Sequence, residues 1–319
     1  RVAHEAGPHV SLQVTEEAEV DERAKVDEPP VEALAPGGHT ADEDAARAAP
    51  PLPLVDVPGG ARVGTLAHEV FEVVDFTAAD LRGALAAAAV EAGAERIVPG
   101  HVDALLDGLA AAIDTPLGPA WGDVRLRDLG PGDRLDELAF DLPLAGGDRP
   151  TPALLTMDAI ADVFAALPAD DPLTGYDERL RDPLLATEVR GFLSGSIDLV
   201  ARLGDRHVVV DYKTNHLAPH GETPTSWHYR PAALATAMTD AHYPLQAALY
   251  GVALHRFLRW RLADYDPARH LGGVAYLFLR GMTGPDTPLV GGAPCGVFTW
   301  QPPASFVTDL SDLLDRGAP

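Results

Sequence analysis

Cysteine is almost missing from this 319-residue chain: Cys295 is the only one. A lone thiol excludes a disulfide framework and any four-thiolate zinc or iron–sulfur centre, and it is at home in the cytoplasm. No apolar run reaches the length of a membrane span and no targeting segment is visible, so no membrane partner is expected. The chain opens on Arg1 and reads as a piece of a longer polypeptide. Basic residues are scarce, 24 against 48 acidic ones, for a net charge of −24. A self-sufficient DNA binder carries a basic stripe, because phosphate contacts supply most of its affinity. Either this chain does not meet nucleic acid, or other domains and chains bring the substrate to it. Lysine is scarcer still, since only Lys25 and Lys213 occur and every other basic residue is arginine. A lysine that survives such replacement is a candidate for a role needing a compact ammonium.

Aromatic residues are absent before Phe71. Acidic clusters (Glu16-Glu17, Asp42-Glu43-Asp44) and prolines (Pro29-Pro30, Pro50-Pro51, Pro53) fill residues 1–58. That composition predicts a disordered acidic linker, with the folded domain over 59–319. Within the linker, the alternating His9–Val14 could be the last strand of an upstream domain.

The chain as a whole is 46% apolar, enough for a substantial core. Helical spacing predicts a helix start near Gly64–Phe71 with Thr65 as a possible N-cap. Further helices are expected at about 77–93, 100–114, 153–167, 242–261 and 304–315. Arg134–Leu144 alternates as a strand does, with Leu138, Phe140 and Leu142 on one face and Glu137, Ala139 and Asp141 on the other. Strand-like runs also cover 192–203, 207–214, 273–279 and 296–300. The expected fold class is α/β, with helices around one mixed sheet.

The centre of the chain carries the chemistry. Gly204-Asp205 suits a two-residue type II′ turn, which pairs Leu203 with Arg206. That register sets Asp198 opposite Asp211, with Cβ atoms roughly 5 Å apart. Asp198, Val200, Val209, Asp211 and Lys213 then share one face. Ile197, Leu199, Ala201, Val208, Val210 and Tyr212 share the other. Two carboxylates so placed need a cation or a shared proton. Magnesium fits, since it takes hard oxygen ligands from one or two carboxylates plus water and phosphate. Lys213, two residues beyond Asp211, reaches the same side and could orient or help deprotonate an attacking water. An isolated Asp-x-Lys is ordinarily a solvated strand edge. The opposed Asp198, the apolar flanks and the unique lysine together point to a catalytic metal site.

The runs Gly195-Ser196-Ile197-Asp198-Leu199-Val200 and Val209-Val210-Asp211-Tyr212-Lys213-Thr214-Asn215 resemble the second and third motifs of the PD-(D/E)xK nucleases in their RecB-type form. Gly64-Thr65-Leu66-Ala67-His68-Glu69 is similar to the family's G-x-x-x-H helix, and Tyr243–Tyr250 to its Q-x-x-x-Y helix. Leu254–Leu258 and Tyr276–Gly281 agree with the same form, so the resemblance spans about residues 60–315. It implies a restriction-endonuclease-like fold and magnesium-dependent cutting of DNA strands. It also implies His68, Asp198, Asp211 and the Tyr212 carbonyl as metal ligands and Lys213 as the catalytic lysine. Gln246 and Tyr250 would contact DNA or support the site, and Glu137 resembles the acidic residue of the strand before the second motif. The implied partners are DNA, helicase domains of the same longer chain, RecC- and RecD-like subunits and a recombinase. Delivery through such a complex would account for the acidic balance. The competing class is a non-catalytic docking or regulatory domain that keeps the fold. His207, His216, His220 and His228 match no zinc spacing. Trp227, Tyr229 and Trp260 are expected to pack rather than to stack on bases.

Overall fold

The computed structural model describes residues 12–14, 40–145, 155–185, 188–189 and 191–318. Six strands form one mixed sheet: β1 (Leu12–Val14), β2 (Arg134–Pro143), β3 (Phe192–Leu203), β4 (Arg206–Lys213), β5 (Leu271–Phe278) and β6 (Val297–Trp300). The order β1-β3-β4-β5-β6 runs across it, and β2 lies along the other edge of β3. β3 and β4 form an antiparallel hairpin, β4 and β5 are parallel, and β5 and β6 are antiparallel.

Both faces of the sheet are covered. On one face lie α1 (Ala41–Ala48), α5 (Met157–Ala165), α6 (Pro231–Asp240), α7 (Tyr243–Arg261) and α8 (Ala304–Arg316). On the other lie α2 (Ala61–Val73), α3 (Leu81–Glu91) and α4 (Val102–Asp114). The parallel β4–β5 pair requires a crossover, and α6 and α7 supply it. A strand buried on both sides reads as a near-continuous apolar run, which is why Val208, Val209 and Val210 are consecutive. Buried among them are two charged side chains of the same strand, Asp211 and Lys213.

Within the linker expected over residues 1–58, residues 40–58 are structured. Thr40 caps α1 with a reciprocal capping box to Glu43, so part of the acidic cluster expected in the linker is a first helical turn. Ala46, Leu52, Leu54 and Val57 are buried. Leu12–Val14 pairs in parallel with Leu193–Gly195 of this sheet rather than closing an upstream one. The rest of the expected linker lies outside the described residues. Thr65 is not a cap. It sits inside α2, where its hydroxyl donates to the Ala61 carbonyl, and Gly60 holds the N-cap position without a side-chain bond.

A second departure bears on the site. Ile197 does not share a face with Leu199; it packs in the same core as Val200, while Leu199 packs in the opposite one. Strand alternation therefore slips by one residue at Asp198. Its neighbour β2 slips at the same level, where Glu137 takes the left-handed conformation with φ 49°. The β2–β3 ladder pairs Asp136 with Leu199 and Leu138 with Ile197, but Glu137 and Asp198 form no rung. A paired irregularity of this kind re-aims one side chain without unpairing the strands.

Candidate active site

Gly204 has φ 64°, and Asp205 is not among the residues with positive φ, as a type II′ turn requires. The register set by that turn holds from Leu203↔Arg206 to Leu199↔Val210. It ends one rung short of Asp198 and Asp211, so the expected direct opposition is not a rung of the ladder. Beyond that point β4 follows β5, with Asp211 level with Tyr276 and Lys213 level with Phe278. The Asp198 carboxylate bridges the divergence: its Oδ2 accepts the Tyr212 backbone N–H at 2.8 Å. A side chain thus takes the place of a backbone acceptor where the two strands part.

Asp198, Asp211 and Lys213 are all buried. Lys213 Nζ stands 2.7 Å from Asp211 Oδ2. The contact is a short, charge-assisted ion pair, and Asp211 Oδ1 is a buried acceptor with no donor. Burial pushes the Asp211 carboxyl above its ordinary value, against the pull of Lys213, and the nearby Asp198 charge pushes the same way as burial. Burial also works to lower the Lys213 ammonium. The combined pull of Asp211, Tyr243 and Asp198 outweighs it, and Lys213 is held above its ordinary value. The two directions oppose each other across one contact, and the 2.7 Å separation decides in favour of the charged pair.

His68 comes from α2, which buries Leu66, Ala67, Val70 and Phe71 and so turns the imidazole toward β4. Its Nε2 donates to the Tyr212 carbonyl at 2.9 Å, and its Nδ1 lies 3.4 Å from Asp198 Oδ1. Its ring meets Tyr212 edge-on at 5.7 Å. Two of the expected ligands, His68 and the Tyr212 carbonyl, are therefore bonded to each other.

On the opposite face, the expected Gln246–Tyr250 pair is joined by a hydrogen bond from Gln246 Nε2 to Tyr250 Oη at 3.2 Å. Gln246 Oε1 accepts from Tyr276 Oη at 2.9 Å. Tyr250 is 1% exposed, with its hydroxyl held against Gln246. Tyr243 is not among the residues the motifs single out, yet Lys213 Nζ lies 4.5 Å from its ring centroid and 5.5 Å from that of Tyr276. The available signal was position: Tyr243 opens the Q-x-x-x-Y helix three residues before Gln246. Asn215 bonds the Tyr243 hydroxyl at 3.4 Å. Glu137 is exposed, and its Oε2 accepts from Ser196 Oγ at 2.6 Å. Tyr229 is fully buried, and Trp227 packs beneath the guanidiniums of Arg47 and Arg230. Trp260 is 77% exposed, contrary to the packing expected of it.

Among the described residues no three His, Cys, Asp or Glu side chains form a ready-made metal cage. The donor set still suits a hard divalent cation. Two buried carboxylates, a backbone carbonyl and an imidazole converge here, and Asp211 Oδ1 is a buried acceptor lacking a donor.

The profile of the PD-(D/E)XK nuclease superfamily matches residues 45–294. The chain belongs to that superfamily. Its nucleases are generally dependent on divalent metal, in keeping with the donors gathered at Asp198 and Asp211. Similar relatives share a name, RecBCD enzyme subunit RecB. The Mycobacterium tuberculosis protein is 50% identical over 279 residues, covering 83% of this chain and 24% of that protein. The Mycolicibacterium smegmatis protein is 44% identical over 322 residues, covering 100% of this chain and 28% of that protein. The Escherichia coli protein is 34% identical over 262 residues, covering 81% and 19%. The chain thus spans about a quarter or less of the length of these relatives.

Proposed function

We propose that this PD-(D/E)XK domain hydrolyses DNA phosphodiesters with Mg2+, acting as exonuclease and endonuclease on strands delivered by an attached helicase. The setting would be double-strand-break repair and recombination in the cytoplasm. The observation that carries this reading is the buried Asp211–Lys213 pair beside Asp198. Its ion pair and unsatisfied carboxylate oxygen are costly to keep in a core without a use.

Asp198, Asp211, the Tyr212 carbonyl and His68 would hold the ion, His68 and the carbonyl giving up their mutual bond to do so. When bound, Mg2+ polarises the phosphodiester and lowers the pKa of a bound water. Lys213 supplies a fixed ammonium that orients the attacking water and offsets negative charge growing on the phosphate. The rings of Tyr243 and Tyr276 limit where that ammonium can swing, and the Gln246–Tyr276 hydrogen bond fixes the second ring. Attack by water at phosphorus forms one P–O bond and breaks another, leaving a phosphate terminus and a free hydroxyl.

The net charge of −24 leaves substrate capture to others. Helicase domains of a longer chain and RecC- and RecD-like subunits fill that role, with a recombinase as a further partner. The test is magnesium-dependent degradation of linear single- and double-stranded DNA by the complete complex, comparing wild type with Asp211→Ala and Lys213→Ala while unwinding is followed separately. Variants that unwind but release no nucleotides support the assignment. Variants that degrade DNA as well as wild type would instead favour a docking or regulatory domain.

A further inference from the structure

Arg280 is a buried arginine that donates to four backbone carbonyls. Its Nε donates to Thr214 at 2.8 Å, Nη1 to Leu54 and Val57 at 2.9 Å each, and Nη2 to Pro58 at 2.6 Å. Thr214 directly follows Lys213. Pro58 stands two residues before Gly60, the N-cap of the helix that carries His68. One planar guanidinium therefore ties the end of the Asp211–Lys213 strand to the start of the His68 helix. The segment it grips is rich in proline and belongs to no strand of the sheet. The turn at Leu279–Gly281 that carries Arg280 is closely packed, since a Cβ on Gly281 would come within 2.4 Å of the Tyr229 side chain.

We propose that Arg280 is a positioning residue of the active site, setting the spacing between His68 on α2 and Asp211, Tyr212 and Lys213 on β4. The inference rests on the nuclease reading above. The two halves of the donor set come from segments 144 residues apart and meet at the 2.9 Å contact of His68 with the Tyr212 carbonyl. A displacement of α2 along its axis would lengthen that contact and part His68 from the donors on β4. Arginine spreads five donors over three nitrogens in a rigid plane and so spans these four carbonyls; a lysine has three donors on one nitrogen and cannot.

The experiment uses the full-length chain in its complex, as wild type, Arg280→Lys, Arg280→Gln, Arg256→Lys and Asp211→Ala. Arg256 is a control: it also bonds carbonyls, those of Ser311 and Pro143, but lies ten residues along α7 from Gln246, about 15 Å. Mn2+ binding is followed without DNA by the paramagnetic resonance of the free ion, and the fraction lost in Asp211→Ala defines the nuclease site. Both Arg280 variants should unwind normally and bind that fraction roughly tenfold more weakly, as loss of a group orienting metal ligands does. The Mg2+ needed for half-maximal cutting should rise by a like factor with KM for DNA unchanged, and Arg256→Lys should show neither effect. If Arg280→Lys lowers thermal stability as Arg256→Lys does while Mn2+ affinity and Mg2+ dependence stay at wild type, Arg280 is purely structural and the proposal is overturned. If Asp211→Ala binds Mn2+ and cuts like wild type, the nuclease reading itself fails and takes the proposal with it.

Discussion

Lys213 and Asp211 stand two residues apart on β4, and the ammonium nitrogen meets the carboxylate oxygen at 2.7 Å with both side chains buried. Removing one member leaves the other as an uncompensated buried charge. Lys213→Met should therefore cost about 3–5 kcal/mol of folding stability without added metal. The double variant Asp211→Asn/Lys213→Met should recover most of that loss, because no ion remains to be buried. Urea unfolding of the four proteins of this cycle measures the coupling. A single-variant loss below about 1 kcal/mol would place the pair in solvent-like surroundings.

A bound divalent cation would relieve the same strain from another direction. The Asp211 carboxyl is raised by burial, and the Asp198 charge adds to the rise, so a cation between them stabilises the folded state. Adding Mg2+ to about a hundred times its dissociation constant should stabilise the domain by about 2.7 kcal/mol. Asp211→Asn should abolish that gain. The check is the unfolding midpoint against Mg2+ concentration, and an equal gain in the variant would put the ion somewhere else.

The parts of this site legible in the sequence are the ones set locally. The Gly204-Asp205 turn fixed the hairpin register, and periodicity marked α7 and the strand carrying Asp211 and Lys213. The phase slip at Asp198 was not legible, because it depends on the left-handed Glu137 in a strand about sixty residues earlier. The ordered segment at Thr40–Pro58 was hidden for a similar reason. Its buried residues are few and spaced by prolines, and the group that holds it, Arg280, lies 222 residues beyond Pro58. His68 could be picked out by resemblance, but its bond to the Tyr212 carbonyl exists only once α2 lies across β4.

Tyr250 offers a test of bracing against substrate contact. It is 1% exposed, and its hydroxyl bonds Gln246, which in turn bonds Tyr276. Tyr250→Phe keeps the ring and removes that one link, so stability should fall by about 1 kcal/mol. Cutting should slow through kcat while KM for DNA stays at wild type. Steady-state kinetics on single-stranded DNA separates the two, and a rise in KM alone would mean that the hydroxyl meets the substrate.

His255 is a buried histidine of α7 whose protonation the fold resists. Burial, with Arg259 and Arg256 adding to it, holds the imidazole down at about 4 from an ordinary 6.5, and its Nδ1 lies 2.9 Å from the Tyr265 hydroxyl. The folded form prefers the neutral ring. Its contribution is fully present above pH 6.5 and is lost as pH falls through about 4, because the unfolded chain takes up the proton first. His255→Gln keeps a hydrogen-bonding partner for Tyr265 but cannot titrate. Between pH 6 and 4.5 its stability should fall less steeply than wild type, by up to about 1.4 kcal/mol per pH unit for the one proton removed. Chemical denaturation across that range measures both slopes. Parallel curves would show that His255 is protonated in the folded protein as readily as in the unfolded one.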